Sequence, residues 1–363
     1  RVLFRSGEVL DNGTRIASIR REGSGLAALN ILLEGGNCAV DSGEAGMPAL
    51  LHRVLEVAAA GDGLDETFRG MGARVSWGDN PYIPMDDYLL NPSFSFIRLE
   101  APLPSFEEAA ELLIGHITSA RLTGERVGKA VAGLSRERMI RSNSPLFDLR
   151  NSFRREIFGE HPYGNPIFPG RGSEAGTASL ISFRESYFSG SRIVATLVSG
   201  MKDRDASGVL KKLFGELPAG KKAGCPPFPE SGRSGSRSVP GSAEGAYILA
   251  GLANSFSSGG EAAAAAVAAE VMDRRIKHQI REKRGLAYST GCGFMLMEGG
   301  FMVQMHLGTR PENLAEASRA LMDEITGLVS EKPDRDEIAI AVNRICSGRS
   351  RRELSSINQA YSA

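Results

Sequence analysis

The chain has 363 residues, 42% of them hydrophobic, enough to bury a substantial core and, by length, to form two domains or three. Lys plus Arg and Asp plus Glu each number 43, so the formal net charge is zero and the electrostatic footprint of a nucleic-acid binder is missing. Local basic clusters at Arg20-Arg21, Arg154-Arg155 and residues 349–352 are short and read as solvated faces. No apolar run reaches the roughly 18 to 20 residues of a membrane span. The four cysteines, Cys38, Cys225, Cys292 and Cys346, stand far apart with no CxxC and no Cys/His ligand spacing, so the expectation is bland free thiols and no Cys-zinc site. The sequence starts without an initiator Met or a signal peptide and stops over residues 358–363 without a terminating feature, and so reads as a fragment of a longer precursor. The compartment is unreadable from the termini, and bacterial periplasm and cytoplasm both stay open.

In chain order, residues 9–19 read as a strand, a turn at Asn12-Gly13 and a second strand, the strongest short hairpin signal available. A strand over 26–33 is followed by Gly-rich loops and then a mostly buried helix over 49–59, with Pro48 near its first turn, where a missing N–H is harmless. A short helix over 64–71 and strands over 74–77 and 93–99 come next. A long helix over 106–120 is expected to be capped by Ser105, and helices over 125–141 and 146–158 follow. The His161-Pro162-Tyr163-Gly164-Asn165-Pro166 loop is too proline-rich for either regular state. A helix over 179–188, a strand over 192–199 and a helix over 206–214 close the first half. Residues 218–245 hold Pro226-Pro227 and Ser-Gly repeats and read as a flexible linker. The pattern then restarts with a strand (246–253), a helix (261–281), two strands (288–297 and 301–308), a helix (311–329) and a further helix from Asp334. The mixture predicts an α+β fold. The recurring order suggests a duplication: a first domain over 1–217, a linker over 218–245 and a similar, truncated second domain over 246–363.

The most specific stretch is Arg281-Glu282-Lys283-Arg284-Gly285-Leu286-Ala287-Tyr288, where a charge-rich helix stops at a glycine and an alternating segment begins. Glycine just past a helix end takes left-handed backbone angles, and basic residues in the last turn favour the negative end of the helix dipole. The offset between Arg284 and Tyr288 lets a guanidinium and a phenol converge on one acceptor-rich group, such as the carbonyls of an extended peptide. A purely structural contact fits the spacing equally well.

This stretch closely resembles the REKRGLAY segment in the second half of insulinase/pitrilysin-type zinc peptidases, the group containing mitochondrial processing peptidase. The hairpin Asn12-Gly13-Thr14-Arg15-Ile16-Ala17, the HPYGNPI stretch, the helix and strand over 183–200 and the helix from Asp334 resemble that family in the same order. The resemblance implies two similar domains, each an antiparallel-rich sheet with helices packed on one face, that form a clamshell around a chamber. It also implies that Arg284 and Tyr288 help hold substrate beside a zinc site carried by the first half.

In the family that zinc site is an HxxEH helix with two His ligands and a Glu base, completed by a more distant Glu. The matching stretch here puts Ala49 at the first His, His52 at the base and Arg53 at the second His, so all three roles are lost. Arg53 stays protonated and would repel a divalent cation. The distant Glu falls at Glu137, or one residue away at Arg136. No metal ligand and no catalytic residue is therefore expected, and zinc belongs to catalytic members of the family. His52 and Glu56, four apart, could supply two ligands, but His116, His161, His278 and His306 show no paired spacing to supply more. Asp86-Asp87 reads as a solvated carboxylate pair.

Two readings from different classes follow, with a third behind them. The first is a non-catalytic homologue that binds unstructured peptides through Arg284 and Tyr288 and complements a zinc-bearing homologous subunit or fused module. The second is an active metallopeptidase with an unorthodox site at His52, Glu56 and Glu137. The third is a scaffold without peptide binding, in which Arg284 caps its helix or pairs with a carboxylate.

Overall fold

The computed structural model describes residues 5–40, 45–78, 93–142, 145–165, 176–222, 224–229, 245–352, 354 and 356–362. They form two compact units. One comprises the described residues within Arg1–Arg138, Asn165–Cys225 and Arg352–Ala363, and the other those within Met139–Gly164 and Pro226–Arg351. The chain therefore passes between units four times, once within the 218–245 stretch.

The first unit is built on a six-stranded sheet in the order β1-β2-β6-β3-β5-β4. Its strands are β1 (Arg5–Val9), β2 (Arg15–Arg20), β3 (Leu26–Glu34), β4 (Arg74–Ser76), β5 (Phe94–Pro102) and β6 (Ile193–Ser199). All neighbours are antiparallel except β2 and β6, which run parallel. The hairpin turn forms where Asn12-Gly13 predicts it, because Gly13 takes φ 90 and its N–H bonds to the carbonyl of Leu10 at 2.8 Å. Six helices accompany the sheet among the described residues: α1 (Met47–Gly61), α2 (Leu64–Gly70), α3 (Phe106–Ser119), α4 (Gly124–Ser142), α6 (Thr177–Tyr187) and α7 (Asp203–Phe214). Leu29, Ile97, Leu99 and Leu197 share one sheet face by register and are fully buried with Leu51, Leu55, Phe106 and Leu113 of the helices. A short last helix, α11 (Ser356–Ser362), also belongs here.

The second unit has a three-stranded antiparallel sheet in the order β7-β9-β8, from β7 (Ala246–Ser255), β8 (Ser289–Met297) and β9 (Gly300–Thr309). Its helices are α5 (Pro145–Phe158), α8 (Gly259–Ile276), α9 (Leu314–Ser330) and α10 (Arg335–Arg352). Met272 and Ile276 of α8 and Ala317, Ala320 and Leu321 of α9 form one core with Met305 and Leu307 of β9. The fold is thus mixed α and β, as the sequence predicts.

Three local expectations need correction. Ser105 does not cap α3, because its hydroxyl donates to the carbonyls of Met71 at 2.9 Å and Pro102 at 3.3 Å. The helix expected to run to 281 changes at Lys277 into a π-helical segment, Lys277–Lys283. Cys38 and Cys225 are not free thiols: they form a disulfide across a sequence separation of 187 residues. Within the first unit this bond ties the 220s to the loop before α1, and the N–H groups of Gly190 and Ser191 bond to Pro218 and Ala219 carbonyls at 2.7 and 2.9 Å. The described start of the proline-rich stretch is thus anchored, because a covalent bond replaces the apolar burial that its composition lacks. Asp86-Asp87 lies outside the described residues.

Among the described residues no helix is long and apolar enough to cross a membrane. The disulfide predicts that thiol titration of the oxidised, unfolded chain finds two reactive groups, Cys292 and Cys346. A Cys38→Ser/Cys225→Ser variant should lose about 2–4 kcal/mol of unfolding free energy in denaturant titration, since closing so long a loop removes much denatured-state entropy.

Candidate functional site

The position of the expected metal helix is set by burial. Helix α1 starts after Gly46, whose φ of 96 favours glycine and whose N–H bonds to the Asn37 side chain at 2.9 Å. Ten of its residues are buried, among them Ala49 and His52. Ala49 offers no donor atom. His52 points inward, with Nδ1 2.6 Å from the carbonyl of Trp77 and Nε2 2.9 Å from the hydroxyl of Ser95 on β5. A carbonyl only accepts, so Nδ1 carries the proton and Nε2 accepts from Ser95. The Ser95 oxygen in turn lies 2.8 Å from the Tyr187 hydroxyl at the end of α6. Burial pulls His52 down to about 4, against the Trp77 bond that raises it, and pushes the Tyr187 phenol up to about 12. Both groups are therefore neutral at pH 7. This buried His52–Ser95–Tyr187 chain escaped the sequence reading, because its three members lie far apart in the chain and no motif links them.

Arg53, one residue on, faces the other way. Its guanidinium donates to Glu56 at 2.7 Å and to Glu137 on α4 at 2.8 Å. The three side chains are about one-third to two-fifths exposed, at 34%, 43% and 31%. Glu137, not Arg136, therefore faces α1, while Arg136 is exposed. The residues do not fit a zinc ion: Ala49 has no ligand atom, both His52 nitrogens are engaged in the interior, and a permanent cation sits between the two carboxylates. Among the described residues no group of three or more His, Cys, Asp or Glu side chains is arranged to hold a metal.

The Arg284 and Tyr288 junction forms in the second unit. After the π-helical segment, Gly285 takes φ 63, as a glycine at a helix end does. Leu286 and Ala287 are buried in the unit's core, the Leu286 N–H bonds to the carbonyl of Ile280 at 3.0 Å, and the Thr309 hydroxyl donates to the Leu286 carbonyl at 2.5 Å. Pinned on both sides, the junction leaves Arg284 exposed and Tyr288 half-exposed. The Arg284 guanidinium makes no hydrogen bond or ion pair with any described residue. Tyr288 instead meets Tyr247 of β7 edge-on, ring centroids 6.1 Å apart at 89°. Loss of water and the Tyr247 phenol push the Tyr288 phenol up to about 12, so it stays a donor at neutral pH. The structure does not join Arg284 and Tyr288 by a contact among the described residues. It adds Tyr247, which no sequence spacing could have linked to them.

Residues 177–345 match the family described as "Peptidase M16 inactive domain". No curated protein matches the chain. Among solved structures, a peptidase M16 inactive domain from Pseudomonas fluorescens has a TM-score of 0.82 at 17% identity, over 95% of this chain and 84% of that one. The first half of the periplasmic protease PqqL from Escherichia coli gives 0.69 at 12%, over 97% and 78%. A chain of complex III2 from Candida albicans gives 0.74 at 12%, over 98% and 84%. At these identities the likeness is one of fold.

His52 provides a pH test. Its folded pKa lies below the ordinary value of 6.5, so between pH 6.5 and 4 the unfolded chain binds the extra proton and stability falls as pH falls. The histidine should cost about 2 kcal/mol at pH 5 relative to pH 7.5. Denaturant titrations at the two pH values should show that much less pH dependence in His52→Gln than in the wild type.

Proposed function

We propose that this chain is a non-catalytic homologue of the M16 peptidases that holds extended peptides through Arg284 and Tyr288. It complements a zinc-bearing homologous subunit or fused module, which supplies the chemistry. The observation that carries this reading is the Arg53 clamp: a guanidinium bonded to Glu56 and Glu137 takes the place of a ligand, while the Arg284 guanidinium is left exposed without a partner among the described residues. A buried or paired arginine contributes to the fold; an unpaired one held at a rigid junction is available to a ligand's carbonyl or carboxylate. Relatives of the fold named as one half of a protease and as part of complex III suit a chain that works beside a partner.

The geometry supports this reading over an unorthodox metallopeptidase, because His52 is turned into the core and Glu137 is already bonded to a cation. It also supports it over a bare scaffold, since Arg284 pairs with no carboxylate among the described residues. The Cys38–Cys225 bond suits an oxidising compartment such as the bacterial periplasm.

The test combines elemental analysis with a fluorogenic peptide assay on the purified protein, alone and mixed with a zinc-bearing homologue from the same source. The expected outcome is no stoichiometric zinc and no cleavage alone, with cleavage appearing or rising in the mixture. Stoichiometric zinc with chelator-sensitive cleavage by the protein alone would sink the proposal. Replacing Arg284 by Ala and Tyr288 by Phe should weaken peptide affinity roughly tenfold or more with the unfolding midpoint unchanged, since a charge-assisted hydrogen bond is worth about 1.5–3 kcal/mol.

A further inference from the structure

One face of the second sheet carries polar side chains that take no part in its core. Tyr247, Gly308 and Ser289 lie opposite one another across β7, β9 and β8, and Leu249, His306 and Gly291 form the next row on the same face. That face is turned away from the Met305 and Leu307 core. A Cβ on Gly308 would meet the Tyr288 ring, and one on Gly245 would lie 2.8 Å from the Tyr288 hydroxyl, so the phenol lies across bare backbone on this face. A Cβ on Gly291 would likewise meet the His306 ring at Cε1. Two glycines therefore let two polar rings lie down in neighbouring rows of one sheet, Tyr288 over Gly308 and His306 over Gly291.

His306 is half-buried, and its ring nitrogens make no hydrogen bond with any described residue. A polar group partly withdrawn from water with nothing to bond to is uncommon, and it is open to a ligand. The charges around it are unbalanced. Arg150 of α5 and Lys277 act on it as cations and Asp273 of α8 as a carboxylate. Asp273 is already engaged, since it accepts from Lys277 Nζ at 2.7 Å and from the Cys292 N–H at 3.0 Å. Arg150 is exposed and pairs with no carboxylate among the described residues. Loss of water and the Arg150 charge hold the His306 imidazole below its ordinary range, with Lys277 adding to this and Asp273 opposing it. An anion bound beside the ring would reverse that balance.

We infer that His306 is a specificity-determining residue of the Arg284 and Tyr288 site, where it takes a carboxylate of the bound peptide. The inference rests on the peptide-holding role proposed above. Alternate side chains of an extended chain are about 7 Å apart, the same step that separates His306 from Gly308 along β9. A peptide lying along β9 with one group bonded to Tyr288 therefore brings a side chain two residues away, or its own C-terminus, to His306. The neutral imidazole donates one N–H to a carboxylate, and uptake of a proton adds a charge to that bond. With Arg150 as a second cation, an amide is bound less well and an ammonium is repelled. The ligand class is an extended peptide bearing a carboxylate, on an Asp or Glu side chain or at its C-terminus.

Fluorescence anisotropy with the full chain and labelled peptides tests this. The probes are an extended Ala/Ser/Gln peptide with an amidated C-terminus, the same peptide with a single Glu moved through successive positions, and the uncharged peptide with a free C-terminal carboxylate. Wild type should bind the best Glu peptide, or the free-carboxylate peptide, about tenfold more tightly than the neutral one, and whichever is preferred identifies the source of the carboxylate. His306→Ala should abolish that preference and leave affinity for the neutral peptide and the unfolding midpoint unchanged. Gly291→Ala, which displaces the ring, should abolish it too. Arg284→Ala should weaken every peptide alike and keep the preference. In the wild type the preference should grow as pH falls from 7.5 to 5.5, because carboxylate binding draws a proton onto His306, and His306→Gln should flatten that dependence. No preference in the wild type, or one that survives His306→Ala, would overturn the inference, while Arg284-dependent binding of the neutral peptide would leave the peptide-holding role standing. Binding of no peptide at all would remove both. If the variants do not fold, the wild type decides: a preference that does not change with pH over that range would overturn the inference too.

Discussion

The burial of α1 against its sheet is the constraint on which the candidate site depends. A helix with ten buried residues presents neighbouring positions to opposite environments, and His52 and Arg53 fall on either side of that divide. The inward residue has to be neutral and hydrogen-bonded, which Trp77 and Ser95 ensure for His52. The outward residue can be charged if it is matched, which Glu56 and Glu137 ensure for Arg53. In a zinc peptidase the same helix would point ligands at a metal. Here Glu56 and Glu137 face a cation built into the chain, so the electrostatic need of the two carboxylates is met by Arg53.

The second unit solves a different problem. Its π-helical segment and Gly285 turn the chain sharply, and the buried Leu286 and Ala287 hold the turn in place. A Cβ on Gly308 would lie 2.7 Å from Tyr288 Cε2, so the bare backbone there is what lets the phenol ring lie over the sheet. The result is an exposed guanidinium that makes no hydrogen bond or ion pair with any described residue, and a half-exposed phenol beside Tyr247, whereas Arg53 in the first unit is bonded to Glu56 and Glu137. That contrast between an occupied and an unoccupied guanidinium underlies the functional reading.

Much of the fold is legible in the residues. Asn12-Gly13 specifies its hairpin because only a glycine accepts the left-handed turn, and the periodicity of α1 and α9 announces helices because their apolar faces must be buried. The Arg284 to Tyr288 junction is legible for the same local reason. Ser105 misleads, since a hydroxyl at a helix start can bond elsewhere when a carbonyl such as that of Met71 comes within reach. The change to π geometry at Lys277 has no signature in the residue types, because the composition of Lys277–Lys283 suits an α-helix equally.

The sequence by itself determined the absence of the HxxEH pattern and the glycine that turns the chain before Tyr288, both of which depend on residue identity and short-range geometry. Only the tertiary structure decided that Glu137 rather than Arg136 faces Arg53, that Cys38 and Cys225 meet, that Ser95 and Tyr187 complete the surroundings of His52, and that α5 and α11 each settle in the unit they do not follow. These are long-range pairings. Their partners are chosen by which buried polar or apolar surfaces remain unsatisfied once the sheets have formed, and no local pattern encodes that.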